Sequence, residues 1–205
     1  METIGSNRAV LLGRAAGKAT PSHANHGVTY YVFPLEVERL SGAADTLNVV
    51  ASEEQLAACP VSVGQRYRAV GEVRSFNNRS GVGSRLVITF FAKTLESAEG
   101  ECENRLELTG VLCKAPNFRR TPLGREICDL LLAVNRRYGR ADYLPCITWG
   151  ALARFCGGLE VGDAVRLTGR LQSRKYHKLQ GDREEERTAY EISVIDLEPA
   201  EEQGG

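Results

Sequence analysis

Several features that mark whole classes of protein are scarce in this chain of 205 residues. Net charge is zero, with 26 Lys+Arg against 26 Asp+Glu, so overall charge names neither a polyanion nor a membrane as partner. No apolar run approaches the roughly 20 residues of a membrane-spanning helix, and "METIGSNRAV" lacks the basic-then-apolar pattern of a secretory leader. A soluble, intracellular chain without a membrane partner is expected. The six cysteines are widely spaced with no CxxC, which favours reduced, mostly buried thiols over a disulfide framework or zinc site. His23 and His26 form an HxxH in a polar loop, without the neighbours a metal needs. "GRAAGK" (Gly13 to Lys18) lacks the Walker spacing and the Ser/Thr after lysine, and no His/Asp/Glu cluster or nucleophile motif occurs elsewhere. Neither an enzyme nor a cofactor is expected.

What the chain does have is a repeat. Shifted by 97 residues, "NRAVLLG" (Asn7 to Gly13) lies over "NRLELTG" (Asn104 to Gly110). Gly27, Leu35, Val37, Arg39, Gly42 and Cys59 lie over Gly124, Leu132, Val134, Arg136, Gly139 and Cys156. One inserted residue aligns "VGQRYRAVGEVRS" with "VGDAVRLTGRLQS", and four more align "RLVITFFAKTLE" with "RTAYEISVIDLE". Both length changes fall between elements, where insertions cost least. Two copies of one domain are expected, at 1–98 and 102–199, with a short acidic tail at 200–205.

Each copy alternates apolar and polar residues in strand-like segments, such as "RLELTGVLC", "REICDLLLAVN" and "DYLPCITW". A short apolar segment, "ALARFCGGL", suits a helix stopped by glycines, and two further strands follow. Five strands with one helix between the third and fourth describe an OB-type barrel, so the fold expected is all-β, two tandem five-stranded barrels. Gly71 and Gly169 fit strand bends at barrel corners.

The second copy concentrates charge and rings. From Asn104 to Lys178 there are 14 Lys/Arg against 6 Asp/Glu, a local net charge of +8. Alternation along "DYLPCITW" places Tyr143, Pro145, Ile147 and Trp149 on one face, expected outward, and Leu144, Cys146 and Thr148 on the inward one. Tyr138 and Arg140 sit in the preceding turn beside Arg136 and Arg137; Arg174, Lys175, Tyr176 and Lys178 run into the last hairpin; Phe118, Arg119, Arg120 and Arg125 lie in the first. Rings that stack bases, interleaved with cations that neutralise phosphates, are what binding a flexible single strand requires. The same rings would also suit the cover of an outer barrel wall or a subunit interface.

These residues carry a resemblance. "NRLELTGVL", "LAVNRR", the ring-bearing third strand and "GRLQSRKY" make residues 104–199 resemble the bacterial single-stranded DNA-binding protein family. The resemblance implies base stacking by Tyr138, Tyr143, Trp149 and Tyr176, and backbone contacts by Arg105, Arg120, Arg136, Arg137, Arg174 and Lys175. Phe118, Arg140, Lys178, Arg39, Arg74 and Phe76 are weaker candidates. It also implies a cytoplasmic, nucleoid-associated bacterial protein that binds and protects single-stranded DNA in replication, recombination or repair. Two barrels per chain imply a homodimer with four. In the first copy Ser41, Thr46, Ser52 and Asn78 replace the four rings, so its part is expected to be structural, or binding through Tyr30, Tyr31 and Phe76. The family's acidic tip has no counterpart in "LEPAEEQGG", so recruitment of replication proteins by that route is not expected. An RNA-binding or primosome-like accessory protein, and an OB protein without ligand, remain alternatives.

Overall fold

The computed structural model describes residues 6–78, 85–136, 139–180 and 183–200, without the side chains of Lys178, Gln180 and Arg183. Its elements are β1 (Asn7–Ala15), β2 (Thr20–Asn25), β3 (Val28–Glu38), β4 (Ala44–Ser52), α1 (Glu53–Ala58), β5 (Arg66–Asn77) and β6 (Leu86–Ser97) in the first half. The second half repeats them as β7 (Glu103–Leu112), β8 (Asn117–Arg120), β9 (Glu126–Arg136), β10 (Arg140–Trp149), α2 (Gly150–Cys156), β11 (Ala164–Gln180) and β12 (Arg183–Pro199). Two compact units result: one of Arg8–Arg74 and Ile88–Arg105, the other of Met1–Asn7, Ser75–Val87 and Leu106–Gly205.

In the first half the strand order is β3-β4-β6-β5-β1, and a further β1–β3 pairing closes the ring. The second half has β9-β10-β12-β11-β7, closed by β7–β9. In both, the third and fifth barrel strands run parallel. That order, with a helix after the third strand, is the OB fold. Phe33, Leu35, Leu47 and Phe90 fill the first interior, and Leu108, Leu132, Leu144, Leu167 and Ile192 the second, all essentially without solvent exposure. Each such side chain stabilises its barrel by about 1.5–3 kcal/mol.

The matched glycines recur for a steric reason. A methyl group on Gly71 would collide with the Phe91 carbonyl, and one on Gly169 with the Ser193 carbonyl, where strands pass too closely for any side chain. The β11 register shifts at Thr168/Gly169, the bulge that lets this strand turn the barrel corner. A matched ion pair recurs as well. Arg39 donates from Nε and Nη2 to both oxygens of the fully buried Asp45, at 2.8 and 2.5 Å. Arg136 does the same to the fully buried Asp142. Each arginine lies at or just beyond the end of the second barrel strand and its aspartate near the start of the third, so the pair latches that hairpin.

Three expectations need correction. Each five-stranded barrel carries an additional short strand, β2 or β8, hydrogen-bonded to the outer side of the second barrel strand. Both are exposed throughout and show no apolar alternation, so periodicity cannot reveal them. His23 therefore belongs to a strand, and His26 (φ 48°) and Gly27 (φ 77°) form the hairpin turn after it. Ile147 is buried, at 6% exposure, and offers no free apolar surface. Only Cys128, Cys146 and Cys156 of the six thiols are buried; Cys113 is exposed and Cys59 and Cys102 are intermediate.

Candidate nucleic-acid interface

Strand register decides which rings share a face. In β10, Tyr143 lies opposite Ala133, Ile147 opposite Asp129 and Trp149 opposite Ile127, while the intervening Leu144, Cys146 and Thr148 point inward. Ile147 pairs with Ser193 of β12, Ser193 with Arg170 of β11, and the same row parity continues through Gln172–Glu191, Arg174–Ala189 and Tyr176–Arg187. Tyr143, Trp149 and Tyr176 therefore project from one outer surface. Tyr143 and Tyr176 lie toward one end and Trp149 toward the other, six residues or about 20 Å along β10 from Tyr143. Tyr143 is 45% and Trp149 42% exposed, and Tyr176 is half-buried. The Arg174 guanidinium stands 5.8 Å from the Tyr176 ring centroid, a cation–π arrangement. Tyr138 and Arg137 lie outside the described residues, as does the Lys178 side chain.

Trp149 occupies a position with a competing structural use. It is the N-cap residue of α2, and no side-chain hydrogen bond caps that helix. Its repeat counterpart, Ser52, caps α1 with a full capping box: the Ser52 hydroxyl accepts from the Gln55 amide at 3.2 Å, and the Gln55 side chain accepts from the Ser52 amide at 2.8 Å. An indole has no acceptor to offer, so the ring replaces a cap worth about 1 kcal/mol.

The basic candidates divide by what holds them. Arg136 is committed to Asp142 and to the Ser75 carbonyl, at 3.0 Å. Asp142 also accepts from the Ser75 amide, at 2.6 Å, and the Ser75 hydroxyl accepts from the Tyr143 amide, at 2.7 Å. Arg136 thus positions the start of β10 while keeping about a quarter of its side chain exposed, and Arg39 is engaged in the same way by Asp45. Arg174 faces Glu191 at 3.6 Å, Lys175 faces Glu186 at 3.0 Å, Arg105 faces Glu103 at 2.8 Å, and Arg120 faces Glu126 at 3.0 Å. The cation of each pair is exposed, although Glu191 and Glu126 are largely covered; the fully exposed Lys175–Glu186 pair is worth at most about 1 kcal/mol, so a phosphate can replace its carboxylate. Arg140 is exposed and makes no ion pair among the described residues. Arg105 is counted with the first compact unit.

Two residues change standing. Phe118 lies opposite Cys128, in the row of inward-facing Thr148, and packs near Gly157 at the end of α2, so it does not join the ring face. Arg119 lies opposite Ile127 and so shares a row with Trp149, paired to Asp129 at 2.9 Å. The signal for Arg119 is the β8–β9 register, which the sequence does not display.

Residues 103–199 match the family model described as the single-strand binding protein family. The second half of this chain is similar to that family. Single-stranded DNA-binding protein A of Bacillus subtilis (strain 168) is 37% identical over 103 residues, 47% of this chain and 60% of that protein. Single-stranded DNA-binding protein 1 of Staphylococcus aureus (strain COL) is 35% identical over 111 residues, 50% of this chain and 66% of that protein. The match thus spans less than two thirds of these relatives. The single-stranded DNA-binding protein of Thermus aquaticus superposes along 98% of this chain and 96% of its own, with a TM-score of 0.78 at 22% identity, which establishes the tandem fold. Within the matched half, the ring face described above comes from the strands that the family match covers.

In the first half, the same face has lost its third-strand rings. Thr46 and Ser41 are exposed and small, and Ser52 serves as a cap. Arg74 lies over the Phe91 ring, 3.6 Å from its centroid, and pairs with Glu72 at 3.0 Å. Phe76, 54% exposed, is counted with the other compact unit. No helix is long and apolar enough to cross a membrane, and no His/Cys/Asp/Glu group among the described residues could hold a metal.

Proposed function

We propose that the chain binds single-stranded DNA in a sequence-tolerant way through the outer face of its second barrel, protecting it during replication, recombination or repair. Trp149 carries this reading: a large, half-exposed ring stands where the internal copy has a helix cap, on a face shared with Tyr143 and Tyr176. Bases stack on those rings and on Tyr138, while Arg119, Arg140, Arg174 and Lys175 meet phosphates, the paired ones exchanging a glutamate or aspartate for the ligand. Duplex DNA hides its base faces and is excluded from such a platform. The protein acts by binding, without catalysis, and is cytoplasmic and associated with the nucleoid. By the family's arrangement two chains assemble four barrels.

The test is the fluorescence of Trp149, the only tryptophan. Oligo-dT quenches it and duplex of equal length leaves it unchanged, and log K falls with log salt at about −0.7 per phosphate neutralised. Equal quenching by duplex, or none by oligo-dT at low salt, overturns the reading.

A further inference from the structure

The first half carries a row of rings that the family match does not reach. His23 of β2 and Tyr30 of β3 lie directly opposite in register, their rings stacked at 5.0 Å and 15°. Tyr30 is 5.4 Å from Phe91 of β6, and Phe91 is covered by the Arg74 guanidinium. The three rings and the guanidinium form one continuous row across β2, β3, β6 and β5.

Register places this row on the outer surface of the barrel. Tyr30 pairs with Ser52 and Val32 with Val50, and Val50 pairs with Phe91 across the parallel β4–β6 junction, so Tyr30, Ser52 and Phe91 share one face. Under the internal repeat, Ser52, Phe91 and Arg74 correspond to Trp149, Ser193 and Gln172. The row therefore stands on the surface that presents the stacking rings in the second barrel, with its aromatics moved from the third strand to the strands beside it. The barrel does not require them there, because the second copy has Arg120, Ile127 and Ser193 where the first has His23, Tyr30 and Phe91. Cations accompany the rings. Lys93 and Arg74 both pair with Glu72; burial would raise the pKa of that carboxyl, but its two partners outweigh burial and hold it below the ordinary value.

We propose that this face is a second site for unpaired nucleobases, stacked along His23, Tyr30 and Phe91, with Arg74 and Lys93 meeting the phosphates. It rests on the reading of the chain as a single-strand binder. The experiment uses the full chain and fluorescently labelled oligo-dT, followed by anisotropy at low salt. In the native chain, quenching of Trp149 first establishes the site on the second barrel. The variant Y143A/W149A/Y176A is expected to retain weaker binding of oligo-dT. Adding Tyr30→Ala and Phe91→Ala is expected to weaken the remainder by about tenfold or more per ring. Because Tyr30 and Phe91 are partly buried, His23→Ala and Arg74→Gln serve alongside them. His23→Ala is expected to weaken the remainder, and Arg74→Gln to lower the salt slope by about 0.7. Loss of all binding in the first triple variant, or residual binding indifferent to these four residues, overturns the second site and leaves the first standing. Absence of Trp149 quenching and of binding in the native chain overturns both.

Discussion

Replacing Trp149 by alanine, serine and phenylalanine separates a ring that binds from a ring that packs. The indole is 42% exposed, so somewhat more than half of a side chain that buries at most about 250 Å² is covered, at most roughly 145 Å². At about 25 cal/mol/Å², truncation to alanine costs up to about 3.6 kcal/mol of stability. Serine loses the same ring but gives α2 the hydroxyl cap that Ser52 gives α1, so W149S is expected to be about 1 kcal/mol more stable than W149A in urea unfolding. Binding should ignore that difference. Both variants lose the stacking of one base, about 1–3 kcal/mol or roughly 5- to 150-fold in Kd by anisotropy with labelled oligo-dT, and W149F retains most of it. If affinity instead follows stability, with W149S binding distinctly tighter than W149A, the ring acts by holding α2 in place and the stacking argument is refuted.

Other consequences of the structure are measurable. Asp142→Asn leaves Arg136 facing a neutral partner in a buried site and is expected to cost about 3 kcal/mol in urea unfolding, and Asp45→Asn a similar amount; a loss below 1 kcal/mol in both would remove the latch from the account. Burial, aided by the charges of Cys156 and Asp129, pushes the Cys128 thiol up to about 11, and burial raises Cys146 and Cys156 as well. A thiol reagent should therefore label Cys113 in the folded chain and reach Cys128, Cys146 and Cys156 only on unfolding. Because these folded values lie above the ordinary 9, their stabilising contribution is whole below pH 9 and, for Cys128, is lost as pH rises toward 11; unfolding that becomes harder over that interval would contradict it. Light scattering should give the mass of two chains, and a monomer at working concentration removes the four-barrel assembly. In competition, unlabelled oligo-U should displace labelled oligo-dT less well than oligo-dT does; equal displacement would take away the preference for DNA.

Much of this was legible from the repeat. The repeat, at an offset of 97 residues and of 98 after one insertion, located the matched glycines, the Arg39 and Arg136 hairpins and the strands that alternate, because close approach and burial each demand a residue type wherever the fold recurs. Comparison of the copies also exposed Tyr143 and Trp149 as residues the barrel does not need. What resisted reading were features set by neighbours in space. β2 and β8 bury nothing, so they leave no periodic trace, and Ile147 reads as outward by alternation although it is buried.

The arginines show the limit most clearly. By sequence, Arg136 and Arg174 are alike, each basic and each beside the rings. Tertiary structure alone closes Asp142 and the Ser75 carbonyl around one and leaves the other over an aromatic face. The chain's own pattern determined a doubled OB fold and a ring-bearing second copy, because burial and backbone geometry are written in local periodicity. Which charges are free to meet a ligand, and which rings share a face, was decided by strand register and by partners dozens of residues away, because hydrogen bonds and stacking depend on distance in space and not along the chain.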